Sequence, residues 1–162
     1  GMGWLICPIR LASNAAGRLS GAMDDETANS ARHRFPVRVY YEDTDLAGIV
    51  YYANYLKFIE RARTEFVRGL GIDQTELKDQ LGLLFAVRRV EADYLRPGKF
   101  DDVLTVATTV TEVTGARIVL RQDVLREDAL LFSAVLTLVA IGVDGGAKRL
   151  PADIRRIFQN WR

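Results

Sequence analysis

Residues 40–55 read YYEDTDLAGIVYYANY, and this stretch decides the fold because it joins the first predicted strand to the longest predicted helix. Three carboxylates, those of Glu42, Asp43 and Asp45, lie close together in it. Gly48 follows and marks a tight turn, since glycine adopts backbone conformations that other residues avoid. Tyrosines then open an apolar helical pattern. The stretch therefore predicts a strand end, an acidic turn and a helix start.

The residues on either side support this interpretation. Residues 35–42 alternate apolar and polar side chains, which predicts a half-buried strand. After the turn, apolar residues recur at helical spacing, and charged residues occupy much of the remaining surface. The apolar face contains Tyr51, Tyr55, Phe58, Ile59, Ala62 and Phe66, and the charged residues are Lys57, Glu60, Arg61, Arg63, Glu65 and Arg68. We expect this helix to begin near Tyr51 or Tyr52 and to end at Gly69.

The rest of the chain is predicted to be mainly β-structure. Four strand-like segments occupy residues 84–95, 103–113, 116–126 and 130–143, with short turns between them. The last is apolar on both faces, which predicts a position inside the sheet or at a subunit contact. Short helices are expected at 73–81 and 151–158. One long helix that buries its apolar face on one antiparallel sheet is an α+β two-layer arrangement.

The composition excludes several classes of function. The 162 residues carry 22 basic and 21 acidic side chains, and this balance argues against a nucleic-acid binder. No apolar run approaches the roughly 20 residues of a membrane helix, so we expect no stable membrane insertion. The single histidine, His33, and the single cysteine, Cys7, precede the predicted domain, which excludes a Cys/His metal cluster and a Ser-His-Asp triad within it. We expect a cytoplasmic protein without a cofactor, whose chemistry uses carboxylates, hydroxyls and backbone amides.

Residues 1–34 are expected to form a flexible tail ahead of one domain at 35–162. The tail is rich in Ala, Ser, Asn and Gly and lacks a sustained hydrophobic period. Gly1 before Met2 is typical of a residue left by processing, and a natural start at Met23 is the alternative.

The order of elements and a long motif resemble the hotdog fold of the Tol–Pal-associated acyl-CoA thioesterases, the YbgC group. The matching residues are 37–45 (VRVYYEDTD), Gly48, Val50, Tyr51 and 60–65 (ERARTE). Residues 45–55 are also similar to the bacterial 4-hydroxybenzoyl-CoA thioesterases. The resemblance covers roughly residues 36–158. It implies an antiparallel sheet of about five strands wrapped around one long central helix, and hydrolysis of an acyl-CoA thioester to free acid and thiol.

The resemblance also assigns roles to residues. It places the catalytic carboxylate at Asp45 and an assisting tyrosine at Tyr41, and it puts Tyr52 where the Tol–Pal type usually has a histidine. The expected substrate contacts are Gly48, Val50, Tyr55, Arg117, Lys148 and Arg149. The three cations fall near where family members meet the CoA nucleotide, and ordinary solvated surface charge is the alternative for each of them.

The chemistry of these residue types agrees with the assignment. Thioester hydrolysis needs an attacking oxygen and donors for the developing oxyanion. A helix N-terminus presents unpaired N–H groups and about half a positive charge, so the Tyr52 N–H is a candidate donor. Asp45 is either a nucleophile that forms an anhydride or a general base for water. The alternative is that Asp45 only caps the turn or the helix.

Other interpretations stay open. A non-catalytic module that binds acyl-CoA or acyl carrier protein is the alternative function, and a hotdog dehydratase is disfavoured because its chemistry uses a histidine in the domain. A divalent cation on Glu42, Asp43 and Asp45 is a further alternative to a structural role, in which Asp43 holds turn amides. We expect acyl-CoA as substrate, with acyl carrier protein as another donor, and leave the acyl group open as short, aromatic or longer. A homodimer or homotetramer is expected, because the apolar strand 130–143 needs cover.

Overall fold

A computed structural model describes residues 32–162, and within them a five-stranded antiparallel sheet carries one long and two short helices. The strands are β1 His33–Arg38, β2 Leu83–Tyr94, β3 Val103–Val113, β4 Arg117–Arg126 and β5 Ala129–Gly142. The helices are α1 Asn54–Gly69, α2 Gln74–Leu81 and α3 Ala152–Gln159. The predicted α+β class, with about five antiparallel strands and one long helix, is confirmed. Most of the predicted tail lies outside the described residues, but His33 and Arg34 already belong to β1.

The sheet has the strand order β1-β3-β4-β5-β2, and every neighbouring pair is antiparallel. The interior position predicted for the apolar segment 130–143 is confirmed, since β5 lies between β4 and β2. The edges are β1, with 6 residues, and β2, with 12. Within the described chain, the outer side of β2 therefore leaves a long row of backbone groups without a strand partner.

Helix α1 packs against β1, β3 and β4 through the apolar face that its periodicity predicts. The buried residues of this face include Tyr55, Phe58, Ile59, Ala62 and Phe66. Each Å² of apolar surface that is removed from water contributes roughly 25 cal/mol to the free energy of folding. Burial of this face therefore stabilises the helix on the sheet.

The first strand is shorter than the sequence predicts, because β1 ends at Arg38 and not at Glu42. The Asp43 carboxylate accepts a hydrogen bond from the Tyr40 N–H at 2.8 Å, and a 3-10 turn covers Tyr41–Asp43. A side chain that bonds nearby backbone competes with the sheet ladder, which explains the early end. The structural role expected for Asp43 is confirmed.

Helix α1 also begins later than predicted, at Asn54 and not near Tyr51 or Tyr52. The Tyr51 N–H donates to the Asp43 carbonyl at 2.8 Å, and Asn54 Nδ2 donates to the same oxygen at 2.9 Å. These two bonds hold residues 51–53 in a turn ahead of the helix. Tyr51 consequently lies outside the helix and is 45% exposed.

A buried polar network links α1 to the inner face of the sheet. Gln122 is fully buried, and its Nε2 donates to the Ile59 carbonyl at 2.9 Å and to Thr108 Oγ1 at 3.0 Å. Arg63 Nη1 donates to Gln122 Oε1 at 3.0 Å, so Arg63 turns toward the sheet and not toward the charged helix surface. Burial lowers the pKa of the Arg63 guanidinium. The Gln122 oxygen is therefore a compensating partner for a charge that is costly to bury.

The Gln122→Leu variant tests this network. We expect its free energy of unfolding to fall by roughly 1–3 kcal/mol, because Arg63 and Thr108 lose a buried partner. Chemical denaturation followed by circular dichroism measures the change. Arg63→Met provides the matched partner variant, and the double variant should lose less stability than the two single losses added together. Additive losses, or a Gln122→Leu midpoint equal to that of the wild type, would contradict a coupled network.

Candidate active site

A tight turn at residues 45–49 carries Asp45. The Asp45 N–H donates to the Ile49 carbonyl at 2.9 Å, and the Gly48 N–H donates to the Asp45 carbonyl at 2.9 Å. Gly48 has φ +76°, a backbone conformation that favours glycine, so its lack of a side chain is required by the turn. The motif glycine thus closes the loop that presents Asp45.

The two oxygens of the Asp45 carboxylate have different surroundings. Oδ1 accepts a hydrogen bond from the Ala47 N–H at 2.9 Å, which is the turn-holding role considered above. Oδ2 has no hydrogen-bond partner within residues 32–162, and the side chain is exposed. One oxygen therefore fixes the carboxylate to its turn, while the other is available to a water molecule or a substrate.

Backbone donors lie a few residues further on, at the entry to α1. The Tyr51 and Asn54 N–H groups are used, because they donate to the Asp43 and Tyr51 carbonyls at 2.8 Å each. For the N–H groups of Tyr52 and Ala53, the described part of the chain provides no acceptor. Such free donors at a helix N-terminus suit an anionic oxygen, since the helix dipole also favours negative charge there.

A cavity of about 340 Å³ opens beside this helix entry. Its lining residues are Ile49, Val50, Tyr52, Tyr55, Tyr94, Leu95, Arg96 and Pro97. Val50 and Tyr55 are 4% and 3% exposed and form the deep part, whereas Tyr52 and Tyr94 are 61% and 48% exposed and form the sides. Asp45 is not among the lining residues, but the loop that carries it continues into the wall at Ile49.

The aromatic walls are held by ring contacts and hydrogen bonds. Tyr55 stacks on Phe132 with a centroid distance of 5.0 Å and an interplanar angle of 7°, and Tyr94 meets both rings edge-on. The Tyr94 hydroxyl donates to the Tyr52 carbonyl at 3.0 Å. Burial raises the pKa of both Tyr55 and Tyr94, so both phenols are neutral near pH 7. The cavity is therefore uncharged except at Arg96.

Tyr41 is not part of the aromatic cavity wall. Its ring stacks on Phe100 with a centroid distance of 4.0 Å and an angle of 13°, and it is 78% exposed. It forms no part of the cavity lining. Within one chain, Val50, Tyr52 and Tyr55 therefore line the cavity, Asp45 and Gly48 lie on the loop that leads into it, and Tyr41 lies outside it.

The three predicted cations lie at the other end of the sheet. Lys148 and Arg149 line a second cavity of about 440 Å³ with Gly115, where the Arg149 guanidinium lies against the Gly115 backbone. Arg117 instead pairs with Glu112 at 3.0 Å. Strand β3 separates this end from the Asp45 end, and its 11 residues span roughly 30 Å at the usual strand rise. Within one chain, these cations and Asp45 do not form one site.

Five lining residues were missed by the sequence interpretation: Ile49 and four consecutive residues, Tyr94, Leu95, Arg96 and Pro97. Tyr94 and Leu95 were predicted only as the end of a strand, and Arg96 was given no role. Their place at the cavity depends on how β2 and the following loop approach α1, and a single sequence gives no direct signal for that. The available signal was Pro97 and Gly98, which show that the chain turns there. The Val50 N–H donates to the Gly98 carbonyl at 2.8 Å, so this turn adjoins the motif loop.

No three or more His, Cys, Asp or Glu side chains within residues 32–162 are arranged to hold a metal ion. Asp43 bonds its own turn and Asp45 bonds the Ala47 amide, so these two carboxylates have separate local partners. None of the helices in the described chain is both long and apolar enough to cross a membrane.

Comparison with known proteins places this chain in a family. Residues 47–133 match the Thioesterase superfamily. The chain is 46% identical to the acyl-CoA thioesterase YbgC of Haemophilus influenzae over 130 residues, which cover 79% of this chain and 95% of that protein. It is 40% identical to the acyl-CoA thioester hydrolase YbgC of Escherichia coli O6:H1 over 114 residues, 70% of this chain and 84% of the relative.

A solved structure agrees with these matches. The structure described as a probable thioesterase from Bartonella henselae aligns with a TM-score of 0.71 and 38% identity, over 74% of this chain and 99% of that one. The family predicted from the motif between residues 37 and 65 is therefore confirmed, together with its hotdog fold. The chain belongs to the Thioesterase superfamily.

Proposed function

We propose that this chain hydrolyses acyl-CoA to free acid and CoA thiol at the cavity beside the α1 N-terminus. The predicted enzyme class agrees with the relatives named above, which are acyl-CoA thioesterases. Three features on adjoining segments support this site. Within residues 32–162, Oδ2 of Asp45 and the Tyr52 and Ala53 N–H groups have no hydrogen-bond partner, and residues 49–55 enter the wall of an aromatic cavity. Acyl carrier protein as a second donor and a cytoplasmic location stay predictions.

The reaction follows from these parts. The thioester carbonyl oxygen accepts hydrogen bonds from the Tyr52 and Ala53 N–H groups, which stabilise the negative charge that develops on it. Losing one such preorganised donor typically costs ~10²–10³ in rate. Asp45 Oδ2 either takes a proton from the attacking water or attacks the carbonyl itself, and the second route gives an anhydride that water then opens. In both routes the carbon–sulfur bond breaks and the thiolate leaves as CoA.

The cavity favours a small acyl group. Its volume of about 340 Å³ is near the lower end of the roughly 300–1,000 Å³ that is usual for ligand sites. Its deep end is closed by Val50 and by Tyr55, which is backed by the fully buried Phe132. Of the three acyl classes left open by the sequence, the short-chain and single-ring aromatic groups therefore fit best.

The active unit is proposed to be a homo-oligomer in which the partner supplies the cations. Val87, Val90 and Tyr94 of β2 are 40–48% exposed, although they pair with the buried Leu138, Leu136 and Phe132 of β5. Exposed apolar side chains and an unpaired strand edge, as on β2 in the described chain, both favour contact with a second chain. Antiparallel pairing of two β2 edges would place the Lys148 end of one chain beside the Asp45 end of its partner.

The Asp45→Asn variant tests the catalytic carboxylate. Asn keeps an oxygen for the Ala47 N–H, so the turn should remain closed, but it cannot act as a base or as the same nucleophile. We expect kcat to fall by about 10²–10⁴, measured as thiol release from a panel of acyl-CoA esters. Asp73→Asn is the matched control, because Asp73 Oδ1 accepts from the Thr75 and Glu76 amides only to cap α2. Equal activity of the Asp45→Asn variant and the wild type would favour a non-catalytic binding module.

A mixing experiment tests the shared site. Asp45→Ala and Lys148→Ala/Arg149→Ala chains are unfolded together, refolded and assayed. If the partner supplies the cations, mixed dimers hold one complete site, and statistical pairing restores about one quarter of wild-type activity. Refolding each variant alone is the control. Activity of the mixture that equals the mean of the two variants would contradict shared sites, and sedimentation of a stable monomer would contradict the oligomer.

A further inference from the structure

Tyr55 has a buried hydroxyl whose bonding differs from that of the other cavity tyrosines. The side chain is 3% exposed, and its hydroxyl oxygen accepts a hydrogen bond from the Gly98 N–H at 2.9 Å. Gly98 belongs to the loop after β2 and is itself buried. The ring of Tyr55 thus closes the cavity, while its hydroxyl holds a segment distant in sequence.

A continuous series of backbone bonds leads from this hydroxyl to Asp45. The Gly98 carbonyl accepts from the Val50 N–H at 2.8 Å, and Ile49 forms an isolated antiparallel bridge with Lys99. The Ile49 carbonyl in turn accepts from the Asp45 N–H at 2.9 Å. The Gly98 segment therefore lies directly against the loop that presents the carboxylate.

The packing around Gly98 leaves this contact little freedom. A Cβ atom at Gly98 would lie 3.1 Å from the Tyr55 hydroxyl oxygen and 3.1 Å from Val50 Cγ2. Both distances are tighter than ordinary van der Waals contact, so glycine allows the close approach of the two loops. The ring of Tyr55 is held independently, because it stacks on Phe132 and meets Phe58 and Tyr94 edge-on.

We propose that Tyr55 is a positioning residue for the hydrolysis, and that its hydroxyl fixes the Gly98 segment beneath the 45–50 loop so that Asp45 keeps its place relative to the α1 N-terminus. The inference rests on the proposed function. A shift of about 1 Å in a reacting group can cost ~10² in rate. The ring contacts of Tyr55 do not depend on its hydroxyl. Removing the oxygen therefore makes the 45–50 loop more mobile but leaves the ring at the deep end of the cavity in place.

The Tyr55→Phe variant separates positioning from substrate binding. We expect kcat to fall about tenfold or more, while KM changes less than about threefold, because the ring that meets the acyl group is unchanged. Thr108→Val is the matched control, since it removes a similarly buried side-chain hydrogen bond outside the cavity lining and should leave kcat within about twofold of the wild type. A wild-type kcat in Tyr55→Phe, or a KM that rises as much as kcat falls, would overturn the proposal.

A double-mutant cycle with Gly98→Ala tests the contact itself. The added methyl group presses on the Tyr55 hydroxyl, so Gly98→Ala should lower kcat in the wild-type background and lower it less once Tyr55→Phe has removed that oxygen. Equal effects in both backgrounds would contradict the contact.

Hydrogen exchange of the backbone amides provides a readout that does not depend on turnover. The two variants are compared under conditions that give them the same free energy of unfolding. The backbone amides of residues 45–50 should then exchange faster in Tyr55→Phe than in Thr108→Val. Equal exchange rates would overturn the proposal. A wild-type protein without thioesterase activity would refute the proposed function instead, and the exchange result would still decide whether the hydroxyl holds the loop.

Discussion

The carbonyl oxygen of the buried Asp43 is the point on which the site depends. It accepts the Tyr51 N–H and the Asn54 side-chain amide at 2.8 and 2.9 Å, and so ties the acidic turn to the entry of α1. With both ends tied, residues 44–50 form a closed loop with a tight turn at Gly48. Within the described chain, the Tyr52 and Ala53 N–H groups ahead of the helix have no acceptor, because the residues before Asn54 are held in a turn.

This construction positions the Asp45 carboxylate mainly through backbone bonds. Its N–H, its carbonyl and one carboxylate oxygen all bond within the turn, and the second oxygen has no partner among residues 32–162. A structural and a chemical role are therefore compatible in one side chain, since they use different atoms. The two interpretations that the sequence left as alternatives, a turn cap and a reactive group, need not exclude each other.

Periodicity predicted the parts of the fold that depend on burial alone. The apolar face of α1 and the interior position of β5 follow from which side chains must leave water. The strand and helix boundaries at residues 38–54 could not be predicted this way, because side-chain bonds of Asp43 and Asn54 to the backbone decide them. Arg63 shows the same limit: helical spacing placed it among the charges, but its partner, Gln122, comes from a distant strand. Tyr94 and Arg96 reach the cavity only through tertiary packing.

The separation of anion-binding and catalytic candidates also follows from the topology. Lys148 and Arg149 lie beyond one end of β3 and Asp45 beyond the other, and antiparallel strands cannot shorten that distance within one chain. In the described chain, β2 is also a long edge strand without a partner on its outer side, and its apolar side chains Val87, Val90 and Tyr94 are partly exposed. A two-fold axis at β2 would pair this edge and would also bring the cations of one chain near Asp45 of the other, because antiparallel pairing places opposite ends of the two sheets side by side. Cover for the edge and completion of the site would then come from a single contact, so loss of that contact would cost stability and substrate binding together.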